Sequence, residues 1–315
     1  MSNILIFDTS VATTNLGDLI ISDSVYTNLL EMFPEGRFFN TTTHEVIGKL
    51  TYRLHQNSKY SFVAGTNLLS SNMNFYNQWK VNLLDGIFLK DIVLMGVGWW
   101  QYQKSPNLYT RLLYKRLLSS TYVHSVRDGY TVQKLNEAGI NNVLNTGCPT
   151  IWKLTQEHCK LIPQNKANSV VFTLTDYNKN IGSDMRLMDI LKKSYDFVYF
   201  WPQGSNDLEY FSDLGGGAEV LSPTLKGYDE LLARNGDIDY VGTRLHAGIR
   251  AMQFKKRSII LTVDNRALEK AKDINLPVVE RSNLCELQAR IDGKWDTKLN
   301  IDFNAIDTWR SQFLE

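Results

Sequence analysis

The sequence predicts an α/β protein made of two Rossmann-like, doubly wound domains facing a cleft. Three observations lead there. Apolar runs of strand length alternate with helix-period segments from one end to the other, the pattern of parallel sheets covered by helices. The alternation pauses once, across the polar stretch 152–168 that contains Pro163, Gln164 and Asn165, and it restarts with Val170-Val171-Phe172-Thr173-Leu174. The 315 residues are enough for two domains of about 150 residues each. Domains are therefore expected over 1–155 and 168–315, with ligands at the carboxyl ends of the strands.

Taken in order, Ile4-Leu5-Ile6-Phe7 opens the chain as a buried strand at 4–8, and helical spacing follows at 18–32. Strands are then expected at 60–65, 92–96, 121–126 and 142–145, separated by helices at 46–55, 108–118 and 130–138. Gly139 stands where the last of these helices needs a residue tolerant of positive φ. The second half predicts strands at 169–174, 197–201, 219–221, 240–242, 258–263 and 277–279. Helices at 184–193, 227–235, 246–254 and 284–291 lie between them. Repeats of solenoid period and low-complexity stretches are absent from the sequence.

Composition narrows the function. Hydrophobic residues make up 43% and charged residues 21%, ordinary globular values. Thirty-four basic against 33 acidic residues give a net charge of +1, which argues against a nucleic-acid partner because counterion displacement needs a strongly basic face. Cys148, Cys159 and Cys285 are odd in number and widely spaced, so a reducing compartment is expected. The first residues start a strand directly, and no segment approaches the ~20 apolar residues of a membrane span. A cytoplasmic protein is expected. Tyr109 to Leu118 reads as a basic amphipathic helix that could touch anionic headgroups at the inner membrane face, although such a helix more often packs its Leu side on a sheet.

Three strand-to-helix junctions carry unusual chemistry. In Asn15-Leu16-Gly17-Asp18 the glycine admits close approach of a ligand, and Asp18 can either cap the helix or take a proton from a hydroxyl. In Ser125-Val126-Arg127-Asp128 an arginine stands at a strand end, its planar fork suited to phosphate or carboxylate. The alternative is a surface Arg127–Asp128 pair, which neighbouring positions on a helix start disfavour. The third, Asp239-Tyr240-Val241-Gly242-Thr243-Arg244-Leu245-His246, is the most informative. Thr243 can cap a helix that begins at Arg244, the helix end and the arginine favour an anion, and His246 can hold a proton near neutral pH. Trp201-Pro202-Gln203-Gly204 ends another strand with a turn and reads as cleft lining. Neither a GxGxxG fingerprint nor a GxxxxGK[ST] loop occurs, and His44, His55, His124 and His158 lack metal-ligand spacing. No metal or cofactor is expected.

With these junctions in view the chain resembles the polysaccharide pyruvyl transferase family. The matching features are Asn15-Leu16-Gly17-Asp18, Phe62-Val63-Ala64-Gly65, Met95-Gly96-Val97-Gly98, Val126-Arg127-Asp128 and the segment from Asp239 to Ala247, followed by Ser258-Ile259-Ile260-Leu261. Phe254-Lys255-Lys256-Arg257 stands where the family has Gly-x-Pro. The resemblance implies a two-domain, GT-B-like architecture. It also implies transfer of pyruvate from phosphoenolpyruvate onto two hydroxyls of a sugar, as a cyclic ketal, in cell-surface polysaccharide synthesis. Phosphoenolpyruvate is then a co-substrate, and the sugar acceptor, lipid-linked or free, is the partner. Donor binding falls on Arg127, Arg244 and Leu245, with Gly242 and Thr243 beside them, and a binding or acid role on His246; Asp18, from its own chemistry, is the other catalytic candidate. Asn15, Gly17, Gly65, Asn67 and Gly98 are expected on the acceptor side or lining the cleft, in the first domain, while the second is the donor side. Two other functions fit the same fold: a nucleotide-sugar glycosyltransferase, in which Arg244 would hold a diphosphate, and a non-catalytic sugar- or phosphate-binding protein.

Overall fold

A computed structural model describes residues 2–234, 236–263 and 273–314. The chain divides into two compact units: Met1–Thr13, Ile21–Trp152 and Ile301–Glu315 form the first, and Thr14–Ile20 with Lys153–Asn300 form the second. The division near residue 152 coincides with the pause in the sequence pattern. Two short segments depart from the expected contiguous domains: the stretch 14–20 groups with the second unit, and the C-terminal stretch returns to the first.

The first unit is a parallel sheet in the order β2-β1-β3-β4, from β1 (Asn3–Asp8), β2 (Arg37–Thr42), β3 (Tyr60–Ala64) and β4 (Val93–Met95). A further parallel pair, β5 (His124–Val126) and β6 (Val143–Asn145), joins it through the bridge Val97–Val126. β1 and β3 are buried along nearly their whole length, as strands covered on both faces must be. β2 was not expected from the sequence. It is an edge strand whose residues are mostly half-buried or exposed, so Arg37-Phe38-Phe39-Asn40-Thr41-Thr42 lacks the continuous apolar run of a central strand.

Around this sheet lie α1 (Leu16–Met32), α2 (Lys49–Gln56), α3 (Leu108–Leu117) and α4 (Gly129–Ala138). Gly139 ends α4 at φ 85°, as its position predicts. The basic helix α3 buries Leu113, Tyr114 and Leu117 in the core with Leu94 and Val97. No helix among the described residues is long and apolar enough to cross a membrane.

The second unit holds six parallel strands in the order β12-β11-β10-β7-β8-β9: β7 (Ser169–Thr173), β8 (Phe197–Phe200), β9 (Glu219–Val220), β10 (Ile238–Gly242), β11 (Ser258–Thr262) and β12 (Val278–Glu280). Numbered within the unit this is 3-2-1-4-5-6, the Rossmann order, and the strand sequence reverses between β7 and β10. Helices α5 (Gln156–Lys160), α6 (Ile181–Ser194), α7 (Asp207–Asp213), α8 (Leu225–Arg234), α9 (Leu245–Gln253) and α10 (Leu284–Asp292) accompany these strands. The last helix, α11 (Phe303–Ser311), belongs to the first unit. β10 is anchored from below: Asp239 accepts hydrogen bonds from Tyr195 Oη at 2.8 Å and from the buried Arg257 Nη1 at 2.9 Å. Arg257 thus holds the strand that ends at Gly242.

Candidate functional site

Open parallel sheets bind ligands outside the carboxyl ends of the strands where the strand order reverses. In the second unit that point is framed by the ends of β7, β8 and β10. β10 ends at Gly242, where a Cβ would come within 2.7 Å of Thr173 N and 2.9 Å of Thr173 O, so the close pairing of β7 and β10 needs glycine there. Thr243 does not cap α9, contrary to the expectation from the sequence. Its hydroxyl instead meets Thr175 Oγ1 at 2.8 Å and donates to Thr173 O at 3.3 Å. Arg244 is the N-cap residue, with extended backbone (φ −95°, ψ 107°), and its N–H donates to Thr173 Oγ1 at 3.1 Å. Leu245 and His246 open the helix and are half-buried.

The Arg244 side chain is only 4% exposed and is held by two carboxylates. Its Nε donates to Leu174 O at 3.0 Å and to Asp207 Oδ2 at 3.2 Å, and Nη2 reaches both Asp207 Oδ1 and Asp176 Oδ1, the latter at 2.9 Å. Nη1 makes no hydrogen bond among the described residues. The bidentate edge therefore faces Asp207, and Nη1 keeps two N–H groups without a partner among the described residues. The Tyr177 ring lies 5.1 Å from the guanidinium carbon. Burial pushes the Asp176 carboxyl upward, but the Arg244 charge and the hydrogen bonds around it outweigh this and hold it below its ordinary range.

Asp207 organises the cluster. It is fully buried, and its Oδ2 accepts from Gln203 N at 3.1 Å and Gly204 N at 2.7 Å, while Oδ1 accepts from Asp176 N at 3.1 Å. A Cβ on Gly204 would collide with Arg244 Nη2. Gln203 continues the network to the start of α1: its Nε2 donates to Asn15 Oδ1 at 2.8 Å and its carbonyl accepts from Leu16 N at 3.0 Å. Gln203 Oε1 is buried with no hydrogen-bond partner among the described residues. Asn15 Oδ1 also accepts from Gly17 N at 3.0 Å, so Asn15, not Asp18, caps α1. Asp18 lies in the first turn and is buried. Asn15, Gly17 and Asp18, expected on the side of the first domain, are thus grouped with Arg244 and His246 in the second unit.

Gly65, Asn67, Gly98 and Arg127 belong to the first unit. Arg127 follows β5 and pairs with Asp128, Nε to Oδ2 at 3.0 Å. The neighbouring-residue pair that helix geometry disfavours does form, because Asp128 is the N-cap with φ −157° and ψ 160° and not yet helical. Burial pushes the Asp128 carboxyl up, and Arg127 with the Thr131 hydrogen bonds brings it below its ordinary range. Arg127 Nη1 and Nη2 make no hydrogen bond among the described residues. A Cβ on Gly98 would strike the Arg127 guanidinium, so this glycine opens the slot in which the arginine lies. Gly65 is packed against the Gly96 backbone, and Asn67 is buried with Oδ1 unpartnered among the described residues.

Sequence reasoning singled out Arg244 and His246 but missed Asp176, Tyr177 and Asp207. The available signal was Gln203-Gly204-x-x-Asp207 directly after a predicted strand, a turn followed by an acidic residue at a short helix start. Among the described residues no group of three or more His, Cys, Asp or Glu is placed to hold a metal ion.

The sheet order and the site define a doubly wound α/β protein with a buried, carboxylate-held arginine and a histidine at its switch point. The chain belongs to the polysaccharide pyruvyl transferase family, whose model matches residues 15–265. No curated protein sequence matches it significantly. Among solved structures it is similar to the wall teichoic acid polymerase TagF (TM-score 0.45, 12% identity, covering 100% of this chain and 81% of the other). It is also similar to S. aureus MnaA with UDP (0.47, 13%, 99% and 97%). A third is the UDP-GlcNAc 2-epimerase from Neisseria meningitidis bound to UDP-GlcNAc (0.47, 13%, 100% and 98%).

Proposed function

We propose that the protein transfers pyruvate from phosphoenolpyruvate to two hydroxyls of a sugar in cell-surface polysaccharide synthesis, releasing inorganic phosphate. Membership of the family supports the reaction class. The observation that carries the donor is Arg244, the N-cap residue of α9 on the switch point, whose Nη1 makes no hydrogen bond among the described residues, with His246 two residues on. Arg244 Nη1 binds the donor's phosphate or carboxylate, and the α9 N-terminus adds backbone donors. Arg127 of the first unit, whose Nη1 and Nη2 make no hydrogen bond among the described residues, is a separate candidate anion ligand.

In this reading His246 delivers a proton to the methylene carbon of phosphoenolpyruvate as the carbon–carbon double bond opens, which makes C2 electrophilic. One sugar hydroxyl attacks C2 and loses its proton to Asp18. Phosphate leaves with the C2–O bond pair and takes the proton from Asp18, departing as hydrogen phosphate, and the second hydroxyl closes the ketal, its proton restoring His246. The acceptor is a sugar of a growing polysaccharide, lipid-linked or free, and the protein works in the cytoplasm.

His246→Gln tests this. Gln keeps a hydrogen-bond donor of similar reach but cannot deliver a proton, so turnover should fall by about 10²–10⁴-fold while phosphoenolpyruvate affinity changes little. A variant that loses affinity and keeps its maximal rate makes His246 a phosphate ligand instead.

A further inference from the structure

Arg244 lies between two carboxylates of very different character. Asp207 is fully buried and accepts from three backbone N–H groups besides the arginine, so it is built into the fold. Asp176 is 14% exposed, sits in the short turn Asp176–Asn178 after β7, and meets the arginine only through Nη2. Its Oδ1 accepts otherwise from Tyr177 N, the next residue in the same turn, at 2.9 Å. The next side chain, Tyr177, covers the guanidinium and is 61% exposed. One guanidinium and two carboxylates leave the cluster with a formal charge of −1, an odd setting for a residue that must take an anion. Without Asp176 the charge is zero.

We propose that Asp176 is a built-in counter-ion that occupies Arg244 in place of the ligand's anionic group, and that a phosphate or carboxylate displaces it on binding. Asp176 thereby sets the anion affinity of the site. This deepens the donor reading above and rests on it. Asp207 stays in place through the exchange and keeps the guanidinium oriented, while Nη1 and the vacated N–H of Nη2 present two adjacent donors. That pair is the fork geometry a phosphate needs, which the cluster lacks while Asp176 is bound. The Asp176 side chain turns away from Nη2 with the exchange, while its backbone N–H stays on Asp207 Oδ1.

The test measures inorganic phosphate and phosphoenolpyruvate binding by calorimetry to the wild-type chain, Asp176→Asn, Asp176→Ala and Arg244→Ala. Removing a like charge beside the bound anion should tighten binding roughly tenfold in both Asp176 variants, and the gain should shrink as salt rises. In turnover, KM for phosphoenolpyruvate should fall without a matching rise in kcat, which a merely structural role would not produce. Unchanged or weaker binding in folded Asp176 variants overturns the proposal. Should these variants fail to fold, the structure of the wild-type chain with phosphate decides: an anion seated with the Asp176–Arg244 contact intact overturns it, and a parted contact supports it. Binding that is equal in Arg244→Ala and wild type overturns the donor reading itself, whatever Asp176 does.

Discussion

The Nε–Nη2 edge of Arg244 faces Asp207, which lies 37 residues earlier in the chain. Asp207→Ala leaves a buried arginine half-paired and removes the acceptor for three backbone N–H groups, so it should cost about 3–5 kcal/mol in urea unfolding. A loss under about 1 kcal/mol would mean that the arginine finds another partner. Gly204→Ala puts a methyl against Arg244 Nη2 and should cost about 1–3 kcal/mol together with anion affinity. Normal phosphate binding in that variant would show that the guanidinium can shift without harm. Neither contact could be read from composition or spacing, because each depends on how three strand ends line up. Asn15, Gly17 and Asp18 were legible as unusual, but which of them caps α1 was decided by Asn15 Oδ1 reaching Gly17 N.

Elements were read best where burial is complete on both faces. Ser169–Thr173 and Ser258–Thr262 are buried at every position and announce themselves as apolar runs. The edge strand Arg37–Thr42 and the helix Phe303–Ser311 were missed for different reasons. The strand has no continuous apolar run, whereas the helix carries a readable signal, Ile306, Trp309 and Phe313 at helical spacing after the capping residue Asp302. β5 makes its own prediction. His124 is fully buried there, with Nδ1 accepting from Leu94 N at 3.2 Å and Nε2 donating to Ser119 O at 3.0 Å. Burial, only partly opposed by the Ser119 hydrogen bond, pulls its pKa down to about 4 from 6.5. The unfolded chain then binds the extra proton between those values and the folded chain does not, so stability must fall as pH falls through that window. From pH 7 to pH 5 the loss from this group is about 2 kcal/mol. Urea unfolding of wild type and His124→Gln at both pH values measures it, and an equal pH dependence in the two proteins would remove His124 as its source.

At the scale of the molecule, two parallel α/β units share one chain, and the family's match over residues 15–265 runs through both. The alternation of strands and helices made that class readable, since parallel sheets need a helix between strands whichever ligand they hold. The reaction is another matter, because one fold hosts many chemistries and only the site separates them. Under the proposed function, the pyruvyl unit of phosphoenolpyruvate ends up on a sugar. The most direct measurement supplies the protein with phosphoenolpyruvate carrying a carbon-13 methylene and with polysaccharide repeat units, then follows carbon-13 and phosphorus NMR together. The expected result is a labelled methyl group on a ketal carbon of the glycan, with one inorganic phosphate released per ketal, and loss of both signals in His246→Gln. Phosphate release without label on any glycan, or glycosyl transfer from a nucleotide sugar while phosphoenolpyruvate stays intact, would contradict it.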